Sequence, residues 1–415
     1  MSGERSTGSL ARATMLASRH RLVALLVGAL VIALALGIRQ SFGLFLEPVS
    51  KHIGTGREVF ALAVALQNLV WGIAQPFAGM LADRYGSGRV IALGSGLYAG
   101  GLALAAVSGD PAGLYLSLGL LVGLGLSGTT FAVVLGAIGR LYPPEKRSVA
   151  LGIGTGLGSL GLFAVVPAAQ GLLGAYGWVT TFLALALVSA LGILAAPGLA
   201  GRQDMTVEAE SQSLREALGE ARRHGGYWLL TIGFFACGFQ LAFIATHLPA
   251  YLGDRAVAPW VAGAALSVIG LFNIAGSYIC GVVGGRASKS RSLAILYLLR
   301  SAVIVSFLVL PITPVSALIF AALMGLLWVG TVPLTSGLVA QIFGTRYMAT
   351  LFGIVFFAHQ LGGFLGAWLG GIVFAASGSY LPIWIASIVL GLIAAALHWP
   401  ISERPVARLG GAEAT

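Results

Sequence analysis

Charge is what this sequence has least of. Only 9% of its 415 residues are Asp, Glu, Lys or Arg, where a water-soluble chain carries about a quarter. With 58% of the residues hydrophobic and a mean hydropathy of +0.93, no water-soluble fold covers the apolar surface. Cysteine is almost missing as well. Cys237 and Cys280 fall in separate apolar runs, which excludes a disulfide framework and any metal-ligand spacing and leaves both as small buried hydrophobes. Period-two alternation is lacking, and the apolar runs are too long for barrel strands, so a transmembrane barrel is excluded too.

The apolar runs are the main feature. Crossing the hydrocarbon takes about 20 helical residues, and such runs begin near Leu22, Phe60, Val90, Leu114, Ala150, Val179, Tyr227, Val261, Leu293, Val315, Leu351 and Leu381. The expected fold is an all-α membrane protein of twelve transmembrane helices. The 60 glycines suit this reading, because small residues let helix backbones approach closely in lipid. Arginines ahead of the first run and the Ala33-Leu34-Ala35 triplet imitate a signal peptide. The run is too long for one, and cleavage would leave eleven spans.

The formal charge of +10 invites a nucleic-acid reading, which the placement of the basic residues removes. The outer segments hold Lys51, Arg57 and Arg255, and Arg39 and Arg300 fall inside spans. All other basic residues lie in the termini and loops of the opposite side. That asymmetry is the positive-inside pattern and predicts a plasma or inner membrane protein with both termini cytoplasmic. No nucleic-acid partner, cofactor or enzymatic activity is expected. Gly156-Leu157-Gly158-Ser159-Leu160-Gly161 matches a dinucleotide fingerprint, but it lies in an apolar span with no strand before it.

The longest polar stretch separates six spans from six. The expected organisation is a tail (1–21), a six-helix bundle (22–200), a partly helical cytoplasmic linker (201–226), a second six-helix bundle (227–399) and a second tail (400–415). The halves repeat. Gly79, Arg84 and Arg89 of GMLADRYGSGR match Gly281, Arg286 and Arg291 of GVVGGRASKSR at a spacing of 202 residues. At 201, Gly37, Arg39, Phe42 and Pro48 fall on Gly238, Gln240, Phe243 and Pro249, and Leu160-Gly161 on Leu361-Gly362. Such repeats are the architecture of alternating-access transporters, whose site lies near the midplane where the repeats meet.

GMLADRYGSGR, with Gly79, Asp83, Arg84, Gly86 and Arg89, resembles the signature loop of the major facilitator superfamily. That resemblance covers nearly the whole chain. It implies a secondary transporter with a conformational gate formed by these residues and by Arg286 and Arg291 of the second copy, where Gly285 replaces the aspartate. A narrower resemblance links IRQSFGLFLEPV, FIATHLPAYL and LLWVGTVPLTSGLVAQIFG to bacterial members of the monocarboxylate and oxalate:formate transporter group. It implies a cation late in the first helix that engages a carboxylate, the place of Arg39. Members commonly use an arginine in the eighth helix as well, and this chain has none between Val261 and Val283.

Candidate ligands follow from cost, because an ionisable or polar group in the membrane is there for a reason. Arg39 has no acid deep in any span to neutralise it. It either contacts an anionic substrate or reaches Glu47 or backbone carbonyls. Gln240, its repeat counterpart, is expected opposite it across the centre. Gln67, Asn273, Arg300 and His359 complete the candidate substrate-binding set, His359 also as a proton-coupling group. The expected substrate is a small mono- or dicarboxylate carried by a protein functional as a monomer. The rival readings are efflux of amphipathic drugs and a non-transporting membrane sensor.

Overall fold

The computed structural model describes residues 3–55, 57–199 and 212–410. Among them there is no strand. The first half consists of α1 (Gly3–Gln40), α2 (Arg57–Tyr85), α3 (Ser87–Val107), α4 (assembled from pieces over Pro111–Leu141), α5 (Pro144–Gly158, resuming at Leu160) and α6. The helical run Leu160–Ala195 contains the end of α5 and all of α6, divided at Gly177 where φ is 76°. The second half consists of α7 (Gly225–Asp254), α8 (Pro259–Arg286), α9 (Lys289–Val309), α10 (Pro314–Leu327 and Thr331–Phe343), α11 (Met348–Ser377) and α12 (Leu381–His398). Eleven of these helices are long and apolar enough to cross a membrane. The other, α2, has 29 residues, but Gln67, Asn68 and Gln75 lower its apolarity. It is a central helix, packed along α11 of the other half.

The helices start earlier than the apolar runs do: α5 at Pro144 rather than Ala150, and α2 at Arg57 rather than Phe60. The reason is that polar residues and prolines at a helix start cap or tolerate the free N–H groups. Asp110 accepts from Gly113 N at 2.9 Å ahead of Pro111, and Thr313 does the same for Ser316 N at 3.1 Å ahead of Pro314. The expected N-terminal tail is likewise helical from Gly3. Asp204, Glu208 and Glu210 of the linker, and the side chain of Glu47, lie outside the described residues. The rest of the linker forms a helix, Leu214–Arg223, closed by a reciprocal Ser213–Glu216 cap that holds the Glu216 carboxyl below the usual carboxylate range.

Burial is inverted relative to a soluble protein. Leu381, Ile385, Val389 and Ile393 of α12 are half exposed at helical spacing, a row that faces lipid, whereas Gln67, Gln75, Gln240, Asn273 and Arg300 are buried. The two halves use the same packing. A Cβ on Gly37 of α1 would stand 2.6 Å from the Gly161 carbonyl oxygen of α5. Their repeat counterparts Gly238 and Gly362 bring α7 equally close to α11. The duplication is thus a duplicated helix contact. On Gly238 a Cβ would overlap the His359 carbonyl, a backbone atom with no rotamer to yield. Gly238→Ala is therefore expected to destabilise the protein by about 1–3 kcal/mol or more. Gly171→Ala, where the Cβ meets nothing within 4 Å, serves as the control. Thermal unfolding of both variants in detergent measures the difference.

Candidate functional site

Two spanning helices are broken at repeat-related positions near the middle of the molecule. α4 is interrupted at Thr130, which is extended (φ −116°, ψ −163°), and α10 between Trp328 and Gly330, restarting at Thr331. Lipid offers no partner for the freed backbone groups, so the protein must supply one. In the first half, Gln75 Nε2 donates to Ser127 O at 2.8 Å, and Trp71 Nε1 donates to Thr130 Oγ1 at 3.1 Å. In the second, the Arg300 guanidinium donates to Leu327 O at 2.9 Å through Nε and also to Trp328 O. A cation at the C-terminal end of a half-helix is favourable in addition. Asn273 Oδ1 accepts from Val329 N at 3.0 Å, while its Nδ2 donates to Ser159 Oγ across the halves at 2.6 Å.

These bonds relocate several residues expected at a ligand. Arg300 is fully buried, and its remaining nitrogen donates to Gln240 Oε1 at 3.4 Å. Gln240, expected across the centre from Arg39, bonds within its own half. It is buried, with Nε2 donating to Ser387 O of α12 at 2.9 Å. Gln67, also buried, donates to Leu118 O at 3.2 Å, where α4 widens into a π-helical turn. Each amide or guanidinium thus donates to a backbone carbonyl of a neighbouring helix, which for Arg300 and Gln67 is a distorted one.

Arg39 has a different setting. It lies in the last turn of α1, partly exposed, and donates from a terminal nitrogen to Asn68 Oδ1 at 2.5 Å. Its Nε is enclosed with no partner. The guanidinium stands 5.4 Å from the centroid of Trp71, the central residue of α2. Trp71 is 5.3 Å from Phe356 of α11, which stacks on His359 at 5.0 Å, and His359 is 4.9 Å from Phe234 of α7. An aromatic floor thus joins the two halves, with Arg39 at one end and His359 at the other. The imidazole Nδ1 lies 3.2 Å from Gln360 Oε1. Among the described residues no Asp or Glu lies deeper than the ends of the spanning helices, and no His, Cys, Asp or Glu cluster is suited to a metal.

Below this floor, toward the end carrying the linker helix, the halves are in contact. At the level of the floor itself a Cβ on Gly72 would stand 2.8 Å from that of Gln360. Farther down, Asp83 accepts from Thr350 N at 2.8 Å and Thr350 Oγ1 at 2.6 Å, both in the first turn of α11. The same carboxylate pairs with Arg140 of α4 at 2.7 Å, and Arg140 also donates to Ser87. Asp83 therefore ties α2 and α4 to the positive end of a helix in the other half. Gly79 allows the approach, since a Cβ there would stand 2.8 Å from Thr350 Cα. Gly86, at φ 92°, turns the chain directly into α3. Above the floor, Gly171, Gly174, Gly263 and Gly371 have nothing within 4 Å of a Cβ position.

The remaining expected gate residues do not join this knot. Arg84, Arg89, Arg286 and Arg291 are exposed at the same end, and Arg84 lies over Tyr85. In the second copy Gly285 leaves no carboxylate. Instead Glu403, beyond α12, accepts from Ser290 N at 2.8 Å and from Ser288 Oγ at 2.5 Å. Gln341, the repeat counterpart of Arg140, bonds Lys289 at 2.6 Å and Glu403 O at 3.1 Å. Sequence reasoning did not single out Asn68, Arg140, Phe356 or Glu403. Arg140 and Glu403 look like ordinary loop charges. Asn68 alone carried a signal, as a polar residue one turn from Trp71.

The model of the Major Facilitator Superfamily matches residues 25–367. Monocarboxylate transporter 13 of Bos taurus is 27% identical, the alignment covering 84% of this chain and 81% of that one. The oxalate:formate antiporter of Oxalobacter formigenes is 21% identical over 93% of this chain and 91% of its own. In fold, the chain is similar to the E. coli fucose:proton symporter FucP, with a TM-score of 0.69 at 17% identity, over 92% of this chain and 98% of that one.

Proposed function

The chain belongs to the major facilitator superfamily, and from that premise we propose that it carries small monocarboxylates by alternating access, with Arg39 as the anion anchor. The observation that carries this reading is a guanidinium beside the junction of the halves which, among the described residues, has an enclosed Nε lacking a partner and a neutral amide as its hydrogen-bond acceptor. A carboxylate supplies what is missing, since it accepts two parallel charge-assisted hydrogen bonds from one guanidinium. Because Arg300 is held by backbone carbonyls, the floor offers one cation. One cation and an aromatic surface fit a single carboxylate with an apolar body better than a dicarboxylate. Two of the relatives are named for monocarboxylate and for oxalate and formate transport, which supports an anion.

The positive-inside count places the linker end in the cytoplasm. On this reading the closed contacts around Asp83 lie on the cytoplasmic side, which supports an outward-facing conformation. Uptake by proteoliposomes of aliphatic and aromatic monocarboxylates, dicarboxylates and lipophilic cations tests the reading. Saturable monocarboxylate flux, weakly inhibited by dicarboxylates, is expected. Flux of lipophilic cations without carboxylate flux would move drug efflux into first place.

A carrier with no deep carboxylate couples either by exchanging anions or through the imidazole of His359. If His359 takes the proton, His359→Gln abolishes uptake driven by a pH gradient and leaves anion counterflow intact. Gradient-driven uptake that survives the substitution removes the histidine from coupling. Electrically silent counterflow with no pH drive in the unaltered protein identifies an exchanger.

A further inference from the structure

The linker helix and the segment after α12 enclose a groove of about 1060 Å³ away from the central floor. Its walls carry Arg215, Arg222, Arg223, His224 and Arg404. Among the described residues the groove is lined by two carboxylates, and both are already engaged. Glu220 pairs with Arg408 at 3.1 Å and accepts from Gln212 at 3.1 Å, while Glu216 caps its own helix through Ser213. The groove therefore presents excess positive charge in one concavity, unlike the exposed Arg84, Arg89, Arg286 and Arg291, which belong to other loops.

Its position relative to lipid is fixed by two features. His224 immediately precedes α7, and Ser402 and Arg404 closely follow α12, two helices that pack together. Trp228 and Trp399, at the ends of those helices, are 45% and 57% exposed, and the Trp228 indole donates to Arg222 O at 2.9 Å. Exposed tryptophans mark the headgroup level of a bilayer. The exposed Ile232 of α7 and Leu392 of α12 continue an apolar surface into the membrane.

We propose that this groove binds the phosphate headgroup of an anionic phospholipid, with Arg222, Arg223 and Arg404 contacting the phosphate and Trp228 and Trp399 flanking its acyl chains. A basic cluster at the membrane surface attracts anionic lipid, and guanidinium forks suit phosphate oxygens. Because the walls are the described part of the linker between the halves and the segment that carries Glu403, the bound lipid would rest on the chain connection between the two bundles.

The full-length protein in mild detergent, titrated with phosphatidylglycerol or phosphatidylcholine and followed by native mass spectrometry, tests the site. Phosphatidylglycerol is expected to bind preferentially. In the triple variant Arg222→Gln, Arg223→Gln, Arg404→Gln its affinity should fall by about tenfold or more. A charge-matched control, Arg19→Gln, Arg21→Gln, Lys146→Gln, alters exposed residues at the same end and should retain it. Equal loss in both triple variants, or no preference over phosphatidylcholine, overturns the proposal in favour of diffuse basicity. Displacement of the lipid by millimolar inorganic phosphate overturns the assignment to lipid in favour of a soluble anion.

Discussion

Replacing Arg39 with glutamine is expected to abolish carboxylate binding in a protein that remains folded and monodisperse. Glutamine is shorter and gives up the bond that the native terminal nitrogen makes to Asn68 Oδ1 at 2.5 Å, but as a neutral polar side chain at a partly exposed position it leaves the helix intact. What disappears is the fork and the charge over Trp71. Arg39→Lys separates those two contributions, since an ammonium retains the charge but not the planar, bidentate geometry. Its affinity should fall by about tenfold, near the lower end of the roughly 1.5–3 kcal/mol of a charged hydrogen bond. Equilibrium binding of radiolabelled carboxylate to purified protein measures both variants. Gln240→Ala, at a residue bonded to Ser387 and Arg300 rather than facing the floor, should act mainly through stability. Unchanged affinity in a well-folded Arg39→Gln protein would remove the anion anchor and the substrate class with it.

The second large effect is expected at Asp83, far from any ligand. Asp83→Asn preserves the side-chain shape but removes the charge that faces Arg140 at 2.7 Å and the first turn of α11. Hydrogen bonds to a charged group contribute about 1.5–3 kcal/mol each. Because the Thr350 bonds join the halves only while this end is closed, the loss falls on one conformation. The equilibrium should move by about tenfold or more toward the state open at the Asp83 end. Transport then declines while substrate affinity, measured at equilibrium, changes much less. Distances between spin labels on the ends of α2 and α11 report the population directly. If binding falls as severely as uptake, or if the label distances do not change, Asp83 is not a conformational latch. Arg140→Gln, which removes the other half of the ion pair, should move the population in the same direction.

The contacts of Asp83 show where the sequence was readable. GMLADRYGSGR marked the loop, and the Gly285 substitution in the second copy marked an asymmetry, because both are local patterns of residue type and spacing. The partners of Asp83 were not marked. Thr350 and Arg140 come from other helices, and neither is unusual in composition. Glu403 is the plainest case. A carboxylate after the last span reads as a solvated charge, yet it accepts bonds from Ser288 and Ser290 more than a hundred residues earlier.

By itself the sequence determined the membrane environment, the spanning helices, the duplication and the scarcity of deep negative charge. It could do so because lipid imposes severe one-dimensional constraints: helix length is set by hydrocarbon thickness, and every charge within it is costly. Which polar side chain serves the fold and which is free for a ligand was decided only by the tertiary structure. Arg39 and Arg300 are the same residue type, each inside an apolar span. The break in α10 exposes the carbonyls of Leu327 and Trp328, and they hold Arg300. Arg39, one helix contact from the junction of the halves, has a neutral amide, an aromatic face and an unpartnered nitrogen. Helix rotation and helix breaks set that difference, and both are fixed by packing against neighbours rather than by the residues within one span.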